Sequence, residues 1–550
     1  MNTQAIKIPF WIFIVLAIVY FLSVGIDTMD VDASQYAEMS REMSVSNTPL
    51  QLFDRGNNYL DKPPFLFWIS GLSIKFFEAN NFGFKFPSVL FALWALFATY
   101  RLARLLYDEN TARIAALVLG TCQGMFLMTN DIRTDTILMS WVVTALWMIK
   151  EAERKRTWKN VLGGTFAIAC GMMTKGPIAL MVPVFALGSD WALKRKWKHI
   201  FNYRHLIDIL LIAVFLIPMS IGLYQQFDLH PEVEVNGQTG VSGLKFFYWT
   251  QSFGRITGES TWNNGAPFSF LYENMLWSFL PWILLFSAAL ILNVVTVIRQ
   301  RFKLSERQEF LTTGGFLLAY ISLGISKYQL PHYIFVVFPL VAIMTAKLVS
   351  DLLDGKYKSL YSIMKPVQFF ISAVLLVAAF LTFCFVFKTT SFFIWLFLWL
   401  LLTFCWLVLV FKKSISGKMV WTSASAIIIA NVFMSLHFYP QLLKYQAGSQ
   451  VGRFIKQYYP DKKVTAFAPE DPLNAISFYA DKIIGLNYKP QKKDIILTMQ
   501  KGLDSLEQQQ LHYNILTQGK YFSVSQLTPE FLNPATRDSA THIYYLLEIK

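Results

Sequence analysis

The sequence predicts a polytopic α-helical membrane protein of about thirteen transmembrane helices, followed by a small C-terminal soluble α/β domain. Three observations lead there. Hydrophobic residues make up 54% of the 550 positions and charged residues only 15%, with a mean hydropathy of +0.41, which excludes an ordinary soluble globule. Apolar runs of spanning length recur from Ile8 to about Tyr439. The composition then turns abruptly polar, which sets a boundary between residues 1–440 and 441–550.

The expected spans lie near 8–26, 86–106, 112–128, 134–149, 161–174, 176–193, 206–224, 275–298, 311–324, 332–350, 367–387, 391–411 and 419–438. The formal charge of +14 reports topology before it reports partners, because Lys and Arg cluster in short loops. Arg101, Arg104 and Arg113 share one loop, Lys150 to Lys159 a second and Lys194 to Lys198 a third; Arg299 to Arg307, Lys356 to Lys365 and Lys412 to Lys418 continue the series. These loops fall at every second connection if the N-terminus is cytoplasmic. No nucleic-acid partner is implied. Pro63 to Phe77 is apolar but too short to cross, and counting it would reverse the later loops, so it is expected to lie in the outer interface and to open at Pro63–Pro64. Two outer segments, 27–85 and 225–274, are then long enough to cover a site. Cys122, Cys170, Cys384 and Cys405 sit in apolar runs without ligand spacing and read as small hydrophobes.

In the tail, Val464–Ala468, Ile483–Leu486, Asp494–Thr498 and His542–Leu547 look like strands, with helices over Leu473–Tyr479 and Leu503–Gln510. The tail shows no phosphate-loop glycines and no repeat period.

Polar residues at the outer ends of the spans carry the chemistry. Asp27, Asp30 and Asp32 crowd the exit of the first span, where crowding raises carboxylate pKa values and suits one of them to accept a proton. Asp32-Ala-Ser-Gln35 also has capping-box spacing, so a helix cap is the plainer account of Asp32; Tyr36 would lie on one face of the helix that follows. Asn58-Tyr-Leu-Asp61-Lys62-Pro-Pro places an ammonium beside a rigid turn, where it either snorkels or grips a phosphate. Asn130-Asp131-Ile-Arg133-Thr-Asp135 is a polar knot between two apolar helices, either an Asp131–Arg133 or Arg133–Asp135 ion pair or the lining of a polar substrate. Thr174-Lys175-Gly-Pro and Ser326-Lys327-Tyr328-Gln-Leu-Pro-His332-Tyr repeat the pattern, and Arg255 stands in the second long loop. Lys62, Lys175, Arg255 and Lys327 are four cations on the face that topology disfavours for them, which points to an anionic substrate. His332 could join Asp61, Asp131 or Glu259 around a metal, though none shows a local ligand spacing.

These motifs, in this order from about 27 to 339, resemble the GT-C fold membrane glycosyltransferases that use polyprenyl-phosphate sugars, the aminoarabinose transferases of lipid A and the dolichyl-phosphate-mannose-protein mannosyltransferase-like family. The resemblance implies an inverting sugar transfer from an undecaprenyl-phosphate donor to lipid A, another glycolipid or a protein, at the outer face of a bacterial inner membrane. It assigns Asp32 the essential first-loop carboxylate and Lys62 the donor phosphate, with Asp135, Lys175 and Arg255 lining the same cavity; the placement of the charges adds Asp135, Asp30 or Asp27 as assisting acids and Lys175, Arg255 and Lys327 as further cations for the phosphate. Asp27, Tyr36, Asp131, Arg133, Tyr328 and His332 would line the cavity. No cofactor is required, and Asp61 matches an acid that can help hold zinc in relatives. The chain departs from the aminoarabinose pattern at Asp32-Ala-Ser-Gln35-Tyr36, where an acid and a base are missing, and this leaves the sugar open. A transporter of lipid-linked sugar is the alternative; it would favour ionisable residues at mid-membrane and repeated halves.

Overall fold

The computed structural model describes residues 6, 8–235, 237–251, 254, 263–388, 391–412, 416–469 and 473–550. Each segment expected to span is helical. Along the first half run α1 (Trp11–Leu22), α2 (Asp32–Val45), α3 (Phe65–Phe77), α4 (Asn81–Leu106), α5 (Glu109–Gly120), α6 (Gln123–Asn130), α7 (Thr134–Arg154), α8 (Trp158–Lys175) and α9 (Ile178–Leu193). Among the described residues, six helices are long and apolar enough to cross a membrane, or seven if α5 and α6, bent by 51°, form one span.

The helix ends follow from their side chains. Asn80 caps α4 by accepting from Gly83 N at 2.9 Å, and Asp108 caps α5 by accepting from Asn110 N and Thr111 N at 2.8 and 3.0 Å. The break between α5 and α6 is matched by one at residues 279–282, and the Gln123 N–H that the helix start leaves unmet is taken by the Leu280 carbonyl at 2.9 Å. Trp282, fully buried there, donates to Thr121 Oγ1 at 3.0 Å. One irregularity in the bundle thus satisfies the other. α3 opens at Pro64 as expected and is one-sided: Leu66, Phe67, Ser70, Gly71 and Ile74 are buried, whereas Leu72 and Phe76 are exposed.

The C-terminal part contains a mixed sheet. A short hairpin in the first long loop supplies β1 (Phe53–Asp54) and β2 (Asn57–Asn58). The tail supplies β3 (Val464–Ala466), β4 (Gly485–Leu486), β5 (Ile495–Thr498), β6 (Tyr513–Tyr521) and β7 (His542–Ile549), in the order β4-β3-β5-β7-β6. β3 runs parallel to β4 and β5, and β7 runs antiparallel to β5 and β6. The four expected strands are present and β6 is additional; it forms a sheet edge with only two of its nine residues buried, so no apolar alternation marks it. Helix Asn474–Ala480 packs on α2, with Phe478 and Tyr479 in one core with Tyr36, Ala37, Phe67 and Phe84. This contact seats the sheet unit beside the acid-rich loop.

Candidate active site

A cavity of about 210 Å3 collects side chains from six separate stretches of the sequence. Its lining includes Asp32 and Tyr36 of α2, Asp61 and Lys62 before α3, Arg133 and Asp135 at the start of α7, Lys175 at the end of α8, and Tyr328, His332 and Tyr333. Thr250 and Gln251 contribute from the second long loop, so both long loops reach it. Gln226 laces those loops together through Leu52 N and O at 3.0 and 2.7 Å and Asn58 Oδ1 at 2.8 Å.

Asp32 does not cap its helix. It sits in the first turn of α2 without a capping hydrogen bond, because the Ser34 and Gln35 amides are already met by the Met29 and Val31 carbonyls. Its carboxylate pairs with Arg133 Nη1 instead. Arg133 also donates from Nε to Asp131 Oδ2 at 2.8 Å, and its Nη1 lies 3.5 Å from His332 Nδ1. A guanidinium can only donate, so Nδ1 accepts and the imidazole proton sits on Nε2, 3.8 Å from Asp135 Oδ2. Lys175 Nζ donates to Asp135 Oδ1 at 2.6 Å and lies 4.3 Å from the centre of the Tyr333 ring. The polar knot of α6–α7 is therefore split: Asp131 goes to Arg133, and Asp135 to Lys175. Gly176, at φ 96°, makes the turn that aims Lys175, a conformation a side chain would strain.

Burial separates the two carboxylates. Asp135 is 1% exposed, whereas the Asp32 side chain is 36% exposed and open to an incoming group. Tyr36 is buried beside it; burial first, and then the Asp32 charge, push its phenol well above the usual range, so it remains a donor. Lys62 forms no ion pair among the described residues. Among the described residues the lining thus holds three cations, Lys62, Arg133 and Lys175, and three carboxylates, Asp32, Asp61 and Asp135; two of the cations are each held by a carboxylate.

Asp27 and Asp30 lie outside this lining. Crowding does not govern Asp27: burial works against its charge, but bonds from Arg453, Asn81 and Ser449 outweigh that and hold the carboxyl below its usual value. Asp30 is buried, and its backbone N–H donates to Gln446 Oε1 at 2.7 Å. Lys327 is exposed and outside the lining; its neighbour Tyr328 turns inward through the Ser326 turn, and the Lys327 carbonyl accepts from Asn264 N at 3.2 Å. Arg255 lies outside the described residues. Among the described residues no three His, Cys, Asp or Glu side chains converge, and Glu259, the other acid considered for a metal, lies outside them.

The sequence did not disclose what holds the acid loop. Gln446 donates from Nε2 to Thr28 O at 2.9 Å while accepting from Asp30 N. Tyr479 Oη accepts from Thr28 N at 2.7 Å and donates to Asn81 Oδ1 at 2.6 Å, and Arg453 pairs with Asp27. Lys85, fully buried, donates to the carbonyls of Ser23, Asp27 and Asn130, joining the acid loop to the end of α6. Only Lys85, an ammonium in an apolar helix, carried any signal in the sequence.

A family model described as dolichyl-phosphate-mannose-protein mannosyltransferase matches residues 61–221, which include Asp61, Lys62, Arg133, Asp135 and Lys175. The undecaprenyl phosphate-alpha-4-amino-4-deoxy-L-arabinose arabinosyl transferase of Edwardsiella ictaluri is 28% identical over 337 residues, and a second from Sodalis glossinidius is 27% identical over 342. These matches take in 60% of this chain and 57% and 58% of the relatives, so the chain spans less than two thirds of their length. The crystal structure of ArnT from Cupriavidus metallidurans bound to undecaprenyl phosphate superposes with a TM-score of 0.71 at 14% identity, over 97% of both chains. This chain shares that fold. The apo form of the same protein superposes equally well, at 0.72. The resemblance read from the motifs is borne out.

Proposed function

We propose that the chain is a membrane glycosyltransferase that moves a sugar from an undecaprenyl-phosphate donor to an envelope acceptor, such as lipid A, another glycolipid or a protein. The observation that carries this reading is one cavity holding an open carboxylate, Asp32, together with an ammonium, Lys62, that has no ion pair among the described residues. The similar arabinosyl transferases, and a fold shared with a protein that binds undecaprenyl phosphate, support it.

The leaving group is the lipid phosphate, which gains charge as the glycosidic bond breaks. Lys62 meets that charge as a point cation, and Lys175 and Arg133 add positive potential while their carboxylate partners hold them in place. Asp32, oriented by Arg133, lies open to the acceptor and takes its proton where the acceptor is a hydroxyl; an ionised phosphate acceptor would need orientation alone. Attack opposite the leaving phosphate inverts the anomeric centre. Asp135, buried and bound to Lys175, positions the cation rather than the proton. No step runs through a metal.

This reading carries the topology with it: a multi-pass protein of the bacterial inner membrane with about thirteen crossings, a cytoplasmic N-terminus, and the cavity and sheet unit on the periplasmic side. The test supplies purified protein in lipid discs with undecaprenyl-phosphate sugars and acceptor extracts and measures released undecaprenyl phosphate. Release that depends on acceptor and is lost in Asp32→Asn supports the enzyme. No release with any acceptor, combined with movement of lipid-linked sugar across vesicles, overturns it in favour of transport.

A further inference from the structure

A second cavity, of about 460 Å3, lies between the end of the Lys358–Val386 helix and the sheet unit and shares no residue with the first. Lys388, Lys444, Lys520 and Arg537 line it together with Phe387 and Tyr445, and among the described residues no carboxylate does. The cations differ in how they are held. Arg537 is 8% exposed and forms the fixed floor: it donates to the carbonyls of Phe531, Leu532 and Val386 at 2.9, 3.1 and 2.6 Å and lies 4.4 Å from the centre of the Phe387 ring. Lys520 lies over Tyr445, 5.7 Å from its ring centre, and pairs with Asp538, whose side chain is 83% exposed, so water screens that pair. Lys444 donates to the neutral Gln441 at 3.0 Å, and neither it nor Lys388 forms an ion pair among the described residues. The cavity is therefore strongly positive.

Its edge is apolar. The helix that ends at the cavity is strongly apolar and mostly unburied, and Phe385, two residues before the lining Phe387, is 60% exposed. Four cations beside a lipid-facing wall match a ligand with an anionic head and acyl chains. Free phosphate would use the cations and leave the wall without a role. The positive-inside rule does not explain these cations if the face is the outer one.

We propose that this cavity binds the phosphate headgroup of a membrane lipid, with its acyl chains along the exposed faces of the Lys358–Val386 and Phe392–Phe411 helices. Its placement in the outer leaflet rests on the topology proposed above; the charge and the apolar wall do not. Tyr445, in its lining, directly precedes Gln446, the residue that grips Thr28 and Asp30, so an occupied site steadies the loop leading to Asp32.

The full chain, purified in a neutral detergent, is titrated with phosphatidylglycerol or phosphatidylcholine, and bound lipid is counted by native mass spectrometry. Wild type retains phosphatidylglycerol preferentially. In Lys388→Gln/Lys444→Gln/Lys520→Gln its affinity falls about tenfold, with phosphatidylcholine and undecaprenyl phosphate binding unchanged. The Lys→Arg triple at the same positions keeps the preference. Equal phosphatidylglycerol binding by wild type and the Gln triple overturns the proposal, as does loss of the preference in the Arg triple. Displacement of the lipid by inorganic phosphate at comparable concentration overturns the lipid assignment. All readouts are of binding, so a failure of sugar transfer leaves this result intact.

Discussion

Lys62 and Lys175 line one cavity, yet their removal should fail in different ways. Lys62 has no ion pair among the described residues, so in Lys62→Met nothing buried loses a partner, and the thermal midpoint should stay close to wild type. What disappears is a full charge beside the leaving phosphate. At about 4 Å and an effective dielectric near 20 such a charge is worth about 4 kcal/mol, and deleting one donor to a developing oxyanion costs roughly 100- to 1,000-fold. In Lys175→Met the first loss is structural, since Lys175 meets Asp135 at 2.6 Å and Asp135 is 1% exposed. Stranding a buried carboxylate costs about 3–5 kcal/mol, which appears as a lower thermal midpoint before any kinetics are read. Lys175→Met/Asp135→Leu should recover most of that stability but not activity. The assay is kcat/KM for release of undecaprenyl phosphate in lipid discs, alongside thermal midpoints in the same discs. Lys62→Met that folds normally and keeps more than about a third of wild-type kcat/KM would refute the reasoning.

Burial pushes the Glu38 carboxyl from 4.5 up to about 7, against the hydrogen bonds from Arg41. A raised carboxyl favours folding in its protonated form: that contribution is full below 4.5 and is lost as the pH rises through 7, about 3 kcal/mol in all. The thermal midpoint should fall over that window, and Glu38→Gln should flatten the fall. Gln446→Ala or Arg453→Ala frees the acid loop, so amide exchange at residues 27–32 should quicken and kcat should drop more than KM changes, with Arg453→Lys restoring part of both. Gly176→Ala forces a side chain into φ 96° and should cost about 1–3 kcal/mol, read as a lower thermal midpoint with Lys175 displaced from Asp135.

Much of this architecture is visible in the residues because hydropathy and basic loops are local signals. The helices, the opening of α3 at Pro64 and four of five tail strands fall where pattern alone places them. Lys62, Arg133, Asp135 and Lys175 stand out because charge at the end of an apolar helix is costly without a task. Their pairing stands out only in part: the motif offers Asp131–Arg133 as one of two local ion pairs, and that pair forms, but nothing local reveals that Arg133 also takes Asp32 while Asp135 goes to Lys175, because helix packing makes that choice. The capping spacing at Asp32 misleads for a related reason, since the preceding turn had already met the amides. Gln446 and Tyr479 are ordinary residues for a small soluble unit, and their role lies wholly in contacts more than 400 residues away in sequence.

Those long ties carry a consequence for biosynthesis. Thr28 and Asp30 leave the ribosome well before the groups that fasten them, which follow 416 and 451 positions later. At about 5–20 residues per second that interval is roughly 20 to 90 seconds, and under the proposed topology the final stretch must also be exported. A nascent copy cannot fix the loop leading to Asp32 in place until Gln446 and Tyr479 are made and delivered, so under the proposed function a chain that has not reached them stays idle towards the lipid-linked sugars around it.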